Sequence, residues 1–345
     1  MKQAGLEIYP QGQAPMTVFP APLRPGDRVA VTAFSSGVPA ALHERLDRAL
    51  QCLRDQGWQV VEGACLRGEF QDASAPAAER LAELQRLLFD PTIRAILPPW
   101  GGERAIELLA GLDFAALARL PPKWLAGFSD VSTLAVPLTL LSGWATLHGP
   151  NLFDLGDPRQ AEQNAALLHA LHHGLPPSQG RYSAFWRWEA PEERHPTTLR
   201  VLGAQTARMA GRLIGGCLDT LSRLQGSPYF DLRAFKREPT LLYLENCEMK
   251  PCELLRALYG LRLSGALDGL SGLILGRSSG PDAADANALT YRQALETALR
   301  GLPYPVVVDA DLGHVPPQWT LMNGAWAELE VDAGQATLRF EKGCA

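Results

Sequence analysis

From Asp27 onward the chain alternates short apolar runs with amphipathic ones, and nothing else in it limits the fold so strongly. DRVAVTAFSSG reads as a buried strand ending in a small-residue turn, and HERLDRALQCLRDQG then has helical spacing. WQVVEGA, PAAERLAELQRLLFD opened by Pro76, TIRAILPP and ERAIELLAGLDF continue the plan. KWLAGF and VSTLAVPLTLLSG close the series, with Pro137 predicting a kink in that last helix. Such alternation predicts an α/β fold with a parallel sheet covered on both faces. At 345 residues the chain exceeds what one core usually serves, so two domains are expected.

Between about His173 and Arg200 the pattern breaks into a Pro- and aromatic-rich stretch that reads as an interdomain connection. The expected division is an N-terminal arm over 1–25, a first domain over 26–172, a connector over 173–203 and a second domain over 204–345. In the second domain MAGRLIGG leads into the helical CLDTLSRLQ, LLYLEN is a strand, CELLRALYGLRLSG a helix, and GLSGLILGR and PVVVDADLG two more strands. Asn323-Gly324 and Asp332-Ala333-Gly334 separate alternating runs at the end, predicting antiparallel β structure.

Composition narrows the partners. A net charge of −5 argues against a nucleic-acid surface and leaves a small substrate or another protein. Cys52, Cys65, Cys217, Cys247, Cys252 and Cys344 form no C-x-x-C pair, which fits a reducing cytoplasm. The N-terminal stretch has no continuous apolar core, so neither a secretion signal nor a membrane span is expected.

Ser129 in LAGFSDVS lies on a Gly-flanked turn between a strand-like and a helix-like run. There a nucleophile can stand near backbone N–H groups, although Ser129 or Asp130 equally suits a helix cap. Gly101-Gly102 in PWGGE opens another strand-to-helix turn, either a site for an oxyanion or simply a tight turn. Gly215-Gly216 repeats the arrangement in the second half. Glu245 ends a buried strand and is favoured over Glu248, which suits a cap for the helix near Pro251. His314 follows a strand and a glycine, a placement shared by catalytic and merely polar histidines. His169, His172 and His173 have metal-compatible spacing, but Gly174 marks them as the end of a helix. No G-x-G-x-x-G, Walker A, HExxH or Cys/His ligand cluster appears, so neither nucleotide cofactor nor metal is expected.

Ser129, Glu245 and His314 together supply a nucleophile, an orienting carboxylate and a general base, drawn from both halves of the chain. The ordered segments PPWGGERAIELLAGLDF, KWLAGFSDVSTL, TLHGPN, GRLIGGCLDTLSRLQGSPYF, LLYLEN and DLGHVPPQWTLMNGAWAELE resemble the serine carboxypeptidase family of muropeptide LD-carboxypeptidases and microcin C self-immunity peptidases. The resemblance runs from about Gly26 to Glu330. It implies a Rossmann-like N-terminal domain, a mixed β/α C-terminal domain and a Ser129-Glu245-His314 triad at their junction. It further implies an oxyanion hole from the amides of Asp130 and Gly102, no cofactor, and a homodimer.

Gly101, Trp186, Trp188 and Cys217 are candidate substrate contacts. Cys217 stands where many relatives carry Asn, and the two tryptophans suit either stacking on a nucleobase or ordinary packing. The expected activity is removal of a C-terminal D-amino acid from murein tetrapeptide. The alternatives are cleavage of a peptidyl or aminoacyl adenylate, or a non-catalytic ligand-binding protein.

Overall fold

The computed structural model describes residues 16–342. Four parallel strands, β1 (Arg28–Val31), β2 (Gln59–Glu62), β3 (Ile93–Leu97) and β4 (Trp124–Leu125), form the first sheet in the order β2-β1-β3-β4. Helices His43–Asp55 and Ala77–Phe89 provide the first two crossovers, while ERAIELLAGLDF forms a 3-10 helix over Ala105–Gly111 and a helical turn over Phe114–Leu117. The helix Ser132–Ser142 runs on through Pro137 and is buried almost throughout. It ends at Gly143 in the left-handed conformation. β5 (Thr146–His148) and the helix Ala161–His173 complete this unit, and the helix ends at Gly174 as its histidine-rich last turn predicts.

The expected connector is woven into the second sheet. Residues 173–203 contain β6 (Gln179–Gly180), the hairpin strands β7 (Ala184–Arg187) and β8 (Ala190–Pro196), and β9 (Arg200–Val201). β6 and β9 are the two edges of that sheet. Two-residue strands are too short to show a period in sequence. The remaining strands are β10 (Thr206–Cys217), β11 (Thr240–Glu245), β12 (Gly272–Gly276), β13 (Val306–Ala310), β14 (Leu321–Asn323), β15 (Trp326–Asp332) and β16 (Gln335–Glu341). The sheet order is β6-β16-β15-β10-β11-β12-β13-β9, with β10 to β13 parallel and antiparallel strands outside them. Fold and class thus agree with the α/β expectation, including the antiparallel ending.

The two units share one joint. β5 pairs antiparallel with β14. Asn323, fully buried, accepts from the Gly215 amide (3.0 Å) and the Tyr243 hydroxyl (2.9 Å) and donates to Thr146 Oγ1 (3.2 Å). A common apolar core runs from Leu125, Leu134 and Val136 to Leu218, Leu242 and Leu244. A buried core packs at near-crystalline density, so this joint fixes side chains of one unit against the other. Of the N-terminal arm, the described part lies on the first unit: Val18 bridges to Trp144, and the Leu23 amide donates to Leu171. Residues 1–15 and Cys344 lie outside the described residues, in which no helix is long and apolar enough to cross a membrane.

Candidate active site

Ser129 has φ +66°, the left-handed region that side chains rarely adopt. It follows β4 and begins the 3-10 turn Ser129–Val131, which feeds directly into the helix Ser132–Ser142. Such a conformation costs about 1–3 kcal/mol and persists only where neighbours enforce it. Asp130 is one enforcer. Its buried carboxylate accepts from Ser35 Oγ (2.6 Å) and the Ala105 amide (2.8 Å) through Oδ2, and from Thr133 Oγ1 (2.7 Å) through Oδ1. Neither Ser129 nor Asp130 caps the following helix with its side chain. The Asp130 carboxylate instead ties the serine turn to the turn after β3.

That second turn lies against the serine. A Cβ on Gly101 would stand 2.6 Å from Ser129 Cβ and 2.8 Å from both Ser129 Oγ and the Asp130 nitrogen, so only glycine leaves this space open. Among the described residues no protein acceptor takes the Asp130 or Gly102 N–H. Both amides belong to residues that line the same cleft as Ser129.

The second unit supplies a carboxylate–imidazole pair. Glu245, the last residue of β11, is 1% exposed, and its Oε2 lies 2.9 Å from His314 Nδ1. Gly313, at φ +94°, allows this approach, because a Cβ there would sit 2.6 Å from Glu245 Oε2. Burial opposes both charges, yet each is outweighed by the partner. The Glu245 carboxylate, with Cys247, holds His314 well above the ordinary histidine range, while His314 and His148 keep Glu245 below the usual carboxylate value. The Phe128 ring meets His314 edge-on at 4.8 Å, linking the residue before the serine to the imidazole. Trp188 Nε1 donates to the His314 carbonyl at 3.2 Å. Glu248 is exposed and does not cap the helix Pro251–Leu263, whose N-terminus is held by Lys250 and Glu253.

Ser129, Asp130, Gly102 and Cys217 line one cleft of about 860 Å³. Its other walls include Glu103, Asp219, Arg223, Cys247, Glu248 and Arg256. Trp186 and Trp188 are not among its walls. Trp186 is 4% exposed with the Arg194 guanidinium 4.1 Å over its ring, whereas Trp188 is 40% exposed. His172 bonds Gln56 from the helix Ala161–His173 and does not line this cleft.

Two residues carry little signal in the sequence. Asp219 accepts from the Cys247 and Glu248 amides, both at 2.9 Å, and so fixes the loop after Glu245. An acid two residues beyond Cys217 is the one hint of it. His148 is fully buried beside Phe128 and Tyr243. Burial pushes its pKa down to about 4, helped by His314 and opposed by Glu245. Because the unfolded chain takes up this proton near 6.5 and the folded chain only near 4, stability is expected to fall by up to about 3 kcal/mol as pH drops across that window. Denaturant unfolding of wild type and His148→Gln measures this; the variant should lack that part of the acid sensitivity.

The fold is α/β in two units, with a polar cleft lined by residues of both. The LD-carboxypeptidase N-terminal domain matches residues 29–149 and the LD-carboxypeptidase C-terminal domain matches residues 210–329. A putative carboxypeptidase of Streptomyces coelicolor is 32% identical over 326 residues, 93% of this chain and 96% of that one. A probable murein peptide carboxypeptidase of Bacillus subtilis is 28% identical, covering 90% and 91%. The solved structure of the microcin C7 self-immunity protein MccF with aspartyl sulfamoyl adenosine superposes with a TM-score of 0.79 at 23% identity, covering 94% of this chain and 98% of that one. The chain belongs to the LD-carboxypeptidase family.

Proposed function

We propose that the chain is a serine carboxypeptidase that removes the C-terminal D-amino acid of a murein tetrapeptide through an acyl-enzyme. The observation that carries this reading is the left-handed Ser129 followed by the open Asp130 amide, on a cleft shared with Gly102 and with Cys217, whose sulfur lies within 4.8 Å of the Glu245–His314 pair. With Nδ1 engaged by Glu245, the other ring nitrogen of His314 takes the Ser129 proton as Oγ attacks the scissile carbonyl. The Asp130 and Gly102 amides hold the oxyanion. Collapse breaks the C–N bond as the imidazolium protonates the leaving amine, and water then releases the acyl group by the same steps in reverse.

The cleft walls favour a peptide. Arg223 and Arg256 suit carboxylates, Glu103, Asp219 and Glu248 suit an ammonium group, and among the described residues no aromatic side chain lines the space. A second reading, cleavage of an aminoacyl adenylate, draws on the exposed Trp188 ring attached to the His314 carbonyl and on the solved relative's aminoacyl nucleoside ligand. Incubation with murein tetrapeptide and, separately, with aspartyl sulfamoyl adenosine decides between them. Release of D-alanine from the first is expected; release of aspartate alone would favour the second, and neither product would overturn both.

Gly101→Ala tests the oxyanion assignment. Its methyl would press on Ser129 and the Asp130 amide, so kcat is expected to fall about 10²–10³-fold, the loss typical of a blocked oxyanion donor. Steady-state assays with tetrapeptide measure it, and near-normal kcat would rule the Asp130 amide out of the hole.

A further inference from the structure

The proposed reaction makes no use of the cysteines at the site. Cys217 ends β10 directly opposite Glu245 in the parallel register, 1% exposed yet lining the cleft. Its Sγ, a Glu245 carboxylate oxygen and a His314 ring nitrogen all lie within 4.8 Å of one another. A second observation is independent of the thiol. Glu245 Oε2 is engaged by His314, but Oε1 is buried with no hydrogen-bond partner among the described residues. A buried carboxylate oxygen without a donor is costly, and a cation relieves that cost.

Thiolate, imidazole and carboxylate form a donor set that zinc takes in tetrahedral sites, at about 2.3, 2.0–2.1 and 2.0–2.2 Å respectively. Those bond lengths put the donor atoms roughly 3.5 Å apart, and no two of the present donors are more than 4.8 Å apart, with Glu245 Oε2 already 2.9 Å from His314 Nδ1. Cys217 and Cys247 both line the cleft, so the set is reached from it.

We propose that Cys217, Glu245 and His314 form an inhibitory site for a thiophilic divalent cation such as Zn²⁺. On binding, the Cys217 thiol gives its proton to solvent and its sulfur bonds the metal, while a ring nitrogen of His314 and the free oxygen of Glu245 donate lone pairs. The imidazole is then no longer available to take the Ser129 proton. Metal capture does not depend on the peptidase reading; only the accompanying loss of turnover rests on it.

The test is titration of the full chain with Co²⁺, followed by thiolate-to-cobalt charge-transfer absorption. One equivalent is expected to produce the band in the wild type, to leave it intact in Cys252→Ser at the exposed cysteine, and to give none in Cys217→Ser. His314→Ala, which alters a half-buried loop residue and keeps both thiols, should bind at least about tenfold more weakly. In parallel, Zn²⁺ should inhibit tetrapeptide turnover and a chelator restore it. Absence of the band in wild type, or an undiminished band in Cys217→Ser, would overturn the site even if the protein proves to be an active peptidase.

Discussion

Ser129→Ala is expected to lower kcat/KM on tetrapeptide at least about a thousandfold, with the chain still folded, because the variant keeps the cleft and amides but has no atom to acylate. The loss is large because nucleophile and base act as one unit, so removing either removes nearly all covalent catalysis. The fold should persist, since no hydrogen bond of the described chain runs through the Ser129 hydroxyl. Ser129→Gly separates strain from chemistry: glycine adopts φ +66° freely, so the variant should be equally inactive yet no less stable than Ser129→Ala. Labelling by a serine-directed fluorophosphonate should disappear in both. If Ser129→Ala kept turnover within tenfold of wild type, another nucleophile would have to be sought.

How much of the fold and site is legible in the amino-acid sequence depends on the kind of signal each feature leaves there. The parallel first sheet is legible because β1 and β3 carry buried apolar stretches, Val29–Val31 and Ala95–Leu97, each followed by a helical run. The residues of the candidate site are legible at strand ends, where glycines near Ser129 and His314 mark unusual backbone. Pairing at a distance leaves no such mark. Nothing local shows that the Asp130 carboxylate reaches the Ala105 amide, that Cys217 lies in register with Glu245, or that β5 and β14 join the units. The strands of the connector are hidden for a related reason: Gln179–Gly180 and Arg200–Val201 become strands only because a sheet edge is there to pair with. Trp186 shows the same limit. An aromatic in an irregular stretch suggests a ligand contact, and only packing reveals that its face is covered by Arg194.

Glu245→Gln should have the next largest effect, a fall in kcat of about a thousandfold or more at neutral pH, and it should change the shape of the pH profile as well. In the wild type the carboxylate holds His314 well above the ordinary histidine value of 6.5 despite burial. Proton acceptance from Ser129 requires the neutral ring. Activity should therefore rise with pH through an apparent pKa above 6.5, with its acid limb displaced to the alkaline side of a free imidazole. Glutamine preserves the volume of the buried side chain but removes the charge. Burial of His314 is then opposed by Cys247 alone, and the inflection should move to lower pH than in the wild type. The residual rate should be low even where the ring is neutral, because an amide neither fixes the Nδ1–H tautomer nor stabilises the imidazolium formed in the transition state. The two readouts separate catalysis from scaffolding. A carboxylate that merely filled space would give a variant whose rate and inflection both stayed with the wild type, and pH–rate profiles of kcat/KM for the two proteins distinguish these cases.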